Sequence, residues 1–196
     1  MTKIGSDADA AVLHSLRLKG RAQPAAIAAA TGLDPAAVTD ALAAAEEAGL
    51  VVQRTGRLSG WALSPAGREA ADARIATERT EVDASALAGV YDRDFLPLNQ
   101  DLKGVCTGFQ LDPADRDGMV AGLTGVQERA EVVLAGMSGP LPRLGAYEGR
   151  LRAAYDRVLG GQTSALAQPM TDSYHDVWLE LHEDLLQVLD REREED

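Results

Sequence analysis

The stretch Ala30-Thr31-Gly32-Leu33-Asp34-Pro35 predicts a tight turn between two helices. Gly32 can take the left-handed conformation that ends a helix, Asp34 can cap the next helix, and Pro35 suits a first helical position. A short helix opening at Pro24 precedes the turn. After the turn, apolar residues recur at helical spacing and predict one buried face of a second helix: Val38, Leu42 and Ala45.

A small hairpin is predicted directly after the second helix. Gly49 stops that helix, and Leu50-Val51-Val52 has the composition of a strand. The polar segment Gln53-Arg54-Thr55-Gly56-Arg57 then forms the turn, and Trp61-Ala62-Leu63 forms the return strand. Ser64-Pro65 supplies a cap and a first-turn proline, so a further helix begins there.

Four ordered segments within residues 7–82 resemble the winged helix-turn-helix domain of MarR-type and related bacterial regulators. They are Ile27-Ala28-Ala29-Ala30-Thr31-Gly32-Leu33, Val38-Thr39-Asp40-Ala41-Leu42, Glu46-Glu47-Ala48-Gly49-Leu50-Val51 and Leu63-Ser64-Pro65-Ala66-Gly67-Arg68. In such domains the second helix of the pair enters the DNA major groove, and the wing lies along the backbone or the minor groove. The resemblance implies a DNA-binding domain over residues 1–83.

The expected recognition helix departs from the usual pattern because it has no Arg or Lys. It offers Ala36, Ala37, Thr39 and Asp40, whose alanine methyls can touch thymine methyls while the threonine reads a base edge. Phosphate neutralisation must then come from residues outside this helix: Arg54 and Arg57 in the wing, and Arg17, Lys19 and Arg21 around the end of the first helix. The alternative is an interaction adaptor, in which the winged helix docks another protein and does not bind DNA.

The net charge of −12 is distributed unevenly along the chain. Residues 1–83 carry 9 basic and 11 acidic side chains, whereas residues 84–196 carry 10 and 20. A bulk attraction to nucleic acid is therefore absent, and DNA binding must rest on a local basic patch. One cysteine excludes an intrachain disulfide, and no apolar run is long enough for a membrane span or a signal peptide. A cytoplasmic protein without a membrane partner is expected.

Residues 84–196 predict a bundle of four or five helices. Apolar residues at helical spacing mark segments near residues 87–95, 98–109, 119–137, 144–158 and 174–188. Gly139-Pro140-Leu141-Pro142 and Gly160-Gly161 separate the later segments. The expected fold class is mainly α, with an N-terminal winged helix-turn-helix carrying a small β-wing and a C-terminal helical bundle.

The second half also resembles the helical domain that follows a winged helix in regulators of actinobacteria. The matching segments are Phe95-Leu96-Pro97-Leu98-Asn99, Val105-Cys106-Thr107-Gly108-Phe109-Gln110 and Ser173-Tyr174-His175-Asp176-Val177-Trp178-Leu179-Glu180-Leu181-His182-Glu183-Asp184-Leu185. That family has tryptophan where Phe109 stands here. The resemblance implies little about ligand or target.

Aromatic and polar side chains recur together in these segments: Asn99, Cys106, Phe109, Gln110, Tyr174, His175 and Trp178. Aromatic walls with a few polar groups are what a small-molecule site needs, although the same residues would equally form an ordinary core. His175 and His182 are seven residues apart, whereas metal pairs on a helix prefer spacings of three or four. Neither a metal site nor a cofactor is expected.

The sequence contains no nucleophile elbow, phosphate loop or dinucleotide fingerprint, so an enzyme that uses the bundle pocket is the least favoured class. One recognition helix contacts only a half-site, so binding to double-stranded DNA predicts a homodimer. We therefore expect a DNA-binding transcriptional regulator whose helical domain, residues 84–196, dimerises, senses a small-molecule effector, or does both. The long segment after Ser64 and the last helix are the expected interface elements.

Overall fold

The structure, a computed structural model, describes residues 7–56 and 59–192. It is mainly helical, with one small antiparallel sheet of two strands, so the expected mainly α class is confirmed. The chain divides into two compact units, residues 1–81 and 82–196, and each unit has an apolar core of its own. No helix in the described ranges combines the length and the apolar character needed to cross a membrane.

In the part of the first unit that the structure describes, three helices are followed by a hairpin and a fourth helix. In chain order these elements are α1 (Asp7–Lys19), α2 (Pro24–Thr31), α3 (Pro35–Glu47), β1 (Val51–Arg54), β2 (Gly60–Leu63) and α4 (Pro65–Glu81). Helix α1 packs against α2, α3 and α4. The core of the unit includes buried side chains from the first three helices and the hairpin: Val12, Leu16, Ile27, Val38, Leu42 and Val51.

The turn between α2 and α3 has the predicted conformation. Gly32 has a φ of 70°, and its N–H donates to the carbonyl oxygen of Ala28 at 2.9 Å. The carboxylate of Asp34 accepts from the N–H of Ala36 at 2.8 Å, and Pro35 is the first residue of α3. Because the left-handed glycine and the cap are only two residues apart, α3 leaves the turn in a defined direction.

The hairpin is tied to the chain in front of α2. Strand β1 pairs antiparallel with β2, with Val51 opposite Leu63 and Arg54 opposite Gly60. Ala22 adds two backbone hydrogen bonds to Trp61, of 2.8 and 3.0 Å. The hairpin is therefore fixed to the segment between α1 and α2.

Helix α4 begins at the predicted cap and lies very close to the chain that enters the hairpin. The hydroxyl of Ser64 donates to the carbonyl oxygen of Gly49 at 2.7 Å and accepts from the N–H of Gly67 at 3.0 Å. A Cβ atom added at Gly67 would lie 1.9 Å from the carbonyl oxygen of Leu50. Only glycine allows this approach, because the obstacle is backbone and cannot turn aside.

The described residues of the second unit, 82–192, form five α-helices. They are α5 (Ala84–Val90), α6 (Leu96–Leu111), α7 (Arg116–Ser138), α8 (Ala146–Leu159) and α9 (Tyr174–Leu189). A π turn, Tyr91–Phe95, joins α5 to α6, and 3-10 turns occupy Pro142–Gly145 and Thr163–Ala165. Helices α6 and α7, α7 and α8, and α8 and α9 pack in pairs, and α5 contacts both α7 and α9.

The apolar face of helix α9 is buried inside the second unit. Nine of its 16 residues are buried, and Leu179, at 36% exposed, is its large apolar residue with the most exposed surface. The apolar face of α9 suggested an interface helix. In the structure it is covered by α5, α8 and the core residues of the π turn.

We expect Gly67→Ala to lower the free energy of unfolding by about 1–3 kcal/mol, because the added methyl overlaps the backbone of Leu50. Urea unfolding followed by circular dichroism measures this. Ala66→Ser, at the exposed neighbouring position of the same helix, serves as the control and should change stability by less than about 0.5 kcal/mol. Equal stabilities for the two variants would contradict the close approach.

Candidate functional site

The first candidate surface is the outer face of α3. Ala36, Thr39 and Asp40 are exposed there, and Ala37 is half-buried. Arg54 is exposed at the end of β1, whereas Arg57 lies outside the described residues. Ala36, Ala37 and Thr39 have small side chains, so a partner can approach the backbone closely along the first half of α3.

The candidate cations of the first unit differ in whether other groups of the protein already interact with them. The Nε of Arg17 donates to the carboxylate of Asp72 at 2.8 Å, so α1 and α4 share an ion pair and the positive charge of Arg17 is offset. Lys19 is half-buried and Arg21 is exposed, and both interact with other groups of the protein. Among these described cations, Arg54 on the hairpin is therefore the best placed to contact a polyanion.

The same face of the molecule carries exposed carboxylates. Asp40 lies in the middle of α3, and Glu46 and Glu47 lie at its end. No Lys or Arg occurs anywhere in α3. The charges of α3 itself therefore repel a phosphate backbone.

The second candidate site lies in the second unit around Trp178. The buried indole stacks on Phe95, with 4.9 Å between ring centroids and 6° between ring planes. Its Nε1 donates to Oδ1 of Asn99 at 3.0 Å, and the ring of Tyr174 is also stacked with the indole, with 6.4 Å between ring centroids. Three residues of the predicted site, from α6 and α9, are thereby brought together.

A cavity of about 170 Å³ opens beside this cluster, and Asn99, His175 and Trp178 are among the residues that line it. The other four residues of the predicted site do not line this cavity: Cys106, Phe109, Gln110 and Tyr174. Phe109 instead borders a separate groove between α6 and α7, Gln110 is exposed, and Cys106 is buried in the core.

Tyr174 is a core residue with a polar tip. Its hydroxyl is buried and has no hydrogen-bond partner among the described residues. Burial raises the pKa of this hydroxyl, and the nearby carboxylate of Glu131 raises it further. The side chain therefore stays protonated at neutral pH and shapes the aromatic stack without titrating.

Tyr91 and His182 are among the lining residues of the cavity that were not predicted from the sequence. The hydroxyl of Tyr91 and Nε2 of His182 lie 2.9 Å apart in a buried hydrogen bond, and the imidazole stands edge-on to Phe95 at 5.1 Å. His182 follows Trp178 by four residues, so it lies on the same face of α9. The four-residue spacing could therefore have identified His182 from the sequence. Tyr91 gave no such signal, because it reaches His182 only through the path of the π turn.

The mouth of the cavity carries an ion pair. The guanidinium of Arg191 makes two hydrogen bonds to the carboxylate of Asp92 and lies over the ring of Tyr91, 5.1 Å from its centroid. The hydrogen bonds from Arg191 lower the pKa of Asp92. The chain just beyond α9 is thus fastened to the π turn, next to the cavity.

The start of α9, which carries the lining residues, is held in place by a capping box and an ion-pair network. The hydroxyl of Ser173 accepts from the N–H of Asp176, whose carboxylate accepts from the N–H of Ser173, both at 3.2 Å. Arg150 of α8 pairs with Asp172 at 3.0 Å and with Glu180 at 2.8 Å. The orientation of α9 is therefore set before any ligand binds.

A buried carboxylate fixes the other end of α9. Asp184 is fully buried, pairs with the guanidinium of Arg143 and accepts from the hydroxyl of Tyr147 at 3.0 Å. Burial, and the negative charge of Asp184, raise the pKa of Tyr147 well above its usual value. Asp184 therefore joins α9 to α8 and to the turn before it, which is a structural role.

Neither a family model, nor a curated protein, nor a solved structure matches this chain. In the parts of the chain that the structure describes, no group of three or more His, Cys, Asp or Glu side chains is arranged to hold a metal ion. The functional argument therefore rests on the geometry of the two candidate sites.

We expect Cys106 to react with iodoacetamide at pH 8 at least about 100-fold more slowly in the native protein than in urea. Burial raises the pKa of its thiol to about 11, so the reactive thiolate is scarce at pH 8. Mass spectrometry of timed samples gives both rates. Comparable rates would show that Cys106 is accessible and ionised, as a thiol sensor must be.

Proposed function

We propose that the protein is a cytoplasmic DNA-binding transcriptional regulator of the winged helix-turn-helix type, similar to MarR-type regulators. The observation that carries this proposal is the order and pairing of elements in the first unit. A capped turn joins α2 to α3, a hairpin follows α3 at once, and Ala22 pairs with the hairpin through Trp61. In DNA-binding domains of this type the corresponding second helix reads the major groove.

Helix α3 would read bases through small side chains. The methyl groups of Ala36 and Ala37 suit contact with thymine methyls. The hydroxyl of Thr39 donates to the carbonyl oxygen of Pro35 at 2.9 Å, so its oxygen keeps the capacity to accept from a base amino group. Such contacts supply sequence preference but little affinity.

Affinity for the phosphate backbone would then come mainly from the hairpin. Arg54 is exposed at the end of β1, and Arg57 follows it in the sequence of the turn. Arg17 contributes less, because its charge is offset by Asp72. Each phosphate contact made by an arginine releases counterions, which makes binding depend on salt.

We expect the double variant Arg54→Ala/Arg57→Ala to weaken DNA binding and to lower the slope of log K against log salt by up to about 2, one per phosphate contact. Fluorescence anisotropy with duplex DNA at several salt concentrations measures both. The control is Arg93→Ala/Arg116→Ala, which removes the same charge from the second unit. An unchanged slope in the hairpin variant would exclude this role.

The proposed regulator acts as a homodimer, because one α3 covers one half-site and a two-fold protein matches a palindromic operator. The outer side of α7 is the better candidate for the interface, since the apolar face of α9 is covered within its own unit. Val132 of α7 is 74% exposed, and Leu111 at the end of α6 is 82% exposed. A dimer contact on this side of α7 would remove the exposed apolar surface of Val132 from water.

Light scattering of the purified protein at micromolar concentration should give the mass of a dimer. Val132→Glu should shift the equilibrium toward monomer, because it places a carboxylate in the apolar contact, whereas Leu159→Glu on α8 should leave the dimer intact. A monomeric wild-type protein, or equal effects of the two substitutions, would contradict an interface on α7.

An interaction adaptor is the second candidate function, and one observation favours it. Helix α3 has no cation and exposes Asp40, Glu46 and Glu47, which suits a basic protein partner better than DNA. Selection of bound fragments from genomic DNA with the purified protein separates the two functions. Enrichment of a palindromic sequence supports the regulator, whereas no enrichment even at low salt supports the adaptor.

The helical unit would add the sensing function. The cavity beside Trp178 is bordered by residues of α6, α9 and the π turn, so a bound molecule would contact several elements at once. A ligand changes the activity of such a protein only through different affinities for its conformational states.

A further inference from the structure

The cavity beside Trp178 has a buried floor that is mostly aromatic. Its floor is formed by Tyr91, Asn99, Trp178 and His182, all of them buried. The volume of the cavity is about 170 Å³. An apolar cavity of about 150 Å³ can hold one molecule of benzene, so the cavity has room for one small organic molecule.

The charges of the lining balance one another. The lining contains two cations, Lys103 and Arg191, and two carboxylates, Asp92 and Glu192. Arg191 makes two hydrogen bonds to Asp92, and Lys103 and both histidines of the lining also interact with other groups of the protein. Glu192 is exposed, so solvent screens its charge. A charged ligand would therefore lose hydration without gaining an unmatched charge of opposite sign, which is unfavourable.

The amide of Asn99 keeps hydrogen-bonding capacity beside this cavity. Its Oδ1 accepts the indole N–H of Trp178 at 3.0 Å, which fixes the orientation of the amide. In the described part of the chain this is the hydrogen bond that the amide makes, so Nδ2 keeps two N–H donors. Asn99 is 6% exposed and lines the cavity, so a molecule in this space can reach Nδ2. The matching group on a ligand is a hydrogen-bond acceptor without charge.

Apolar side chains complete the lining. Leu96 and Leu102 come from α6 and Leu179 comes from α9, one residue after Trp178. Water in the cavity would leave these surfaces without an apolar contact. A short branched hydrocarbon body suits them better, because its burial removes apolar area from water.

We propose that this cavity binds a small neutral molecule with one carbonyl oxygen on a short apolar body, an inference that rests on the proposed sensing function and gives that function a ligand class. The carbonyl oxygen accepts a hydrogen bond from Nδ2 of Asn99. The apolar body lies against Leu96 and Leu179. Binding is reversible and involves no covalent step.

The test uses the full-length protein labelled with ¹⁵N-tryptophan at pH 7.5. Trp61 and Trp178 are its two tryptophans, so the indole region has two signals, and Trp61 in the first unit is an internal control. The probes share one branched body and differ in charge: the ketone 4-methylpentan-2-one, 3-methylbutanoate and 3-methylbutylammonium. We expect the ketone to shift the Trp178 signal saturably at millimolar concentrations while the Trp61 signal stays in place.

The two charged probes should bind at least about tenfold more weakly than the ketone, because neither finds an unmatched counter-charge in the lining. Leu179→Ala should weaken ketone binding about fourfold, since it removes part of the apolar wall. Leu159→Ala is the matched control. It makes the same change at a partly exposed leucine of α8 that does not line the cavity, and it should leave ketone binding unchanged.

Asn99→Asp tests the hydrogen bond to the ligand. The substitution keeps an oxygen acceptor for the indole of Trp178 and replaces the two N–H donors of Nδ2 with an anionic oxygen. We expect ketone binding to fall at least about tenfold and the preference among the probes to change to 3-methylbutylammonium. If Asn99→Asp does not fold, the comparison of Leu179→Ala with Leu159→Ala decides the test.

Equal binding of the three probes, parallel shifts of both tryptophans, equal effects of the two leucine substitutions, or an unchanged preference in folded Asn99→Asp would each overturn the proposal. Absence of any ketone-induced shift would mean that the cavity holds water only, which also overturns it. The result is independent of DNA. A protein that binds the ketone but selects no DNA sequence keeps the cavity assignment and loses the regulator, and the reverse result removes only the ligand class.

Discussion

The hydrogen bond from Nε1 of Trp178 to Oδ1 of Asn99 is the interaction on which the second unit depends most. An indole N–H buried without an acceptor would cost on the order of 1–3 kcal/mol, so the largest side chain of the core can be buried here only because α6 supplies an amide. The 3.0 Å bond holds α6 against α9, and the stacking of Trp178 on Phe95 adds the π turn to the same cluster. The floor of the cavity is a consequence of this arrangement.

The π turn links packing in this unit to its candidate site. The N–H of Leu96 bonds to the carbonyl oxygen of Tyr91, five residues back, immediately before Pro97 enters the first turn of α6. Tyr91 and Phe95 stack at 5.4 Å, and both face His182 of α9. Turns of this kind are frequent at functional sites, because the wider backbone presents side chains that a regular α-helix would separate. Here that wider turn brings a phenol to the imidazole.

The two units differ in the contacts that orient their candidate functional helices, α3 and α9. In the first unit, local features such as the glycine turn and the Ser64 cap orient α3, and the exposed face is left with small side chains and carboxylates. The positive charge of Arg17 is offset by its ion pair with Asp72. In the second unit, buried polar contacts orient α9, and the same contacts leave donors at the edge of a cavity. The exposed groups of the first unit are thus set by local sequence, whereas those beside the cavity of the second unit are set by contacts between distant helices.

The sequence by itself determined the elements whose cause is local. Gly32, Asp34 and Pro35 define the turn, Ser64 and Pro65 begin α4, and amphipathic spacing marks the helices of the bundle, because capping and burial periodicity act over a few residues. Only the tertiary structure decided which side chains share the cavity. Cys106 and Tyr174 belong to the same sequence segments as Asn99 and Trp178, yet they do not line the cavity. Tyr91, His182 and Lys103 do line it. The physical reason is that a cavity depends on how distant helices pack, and on contacts such as that of Arg191 with Asp92, 99 residues apart in the chain, which no local pattern encodes.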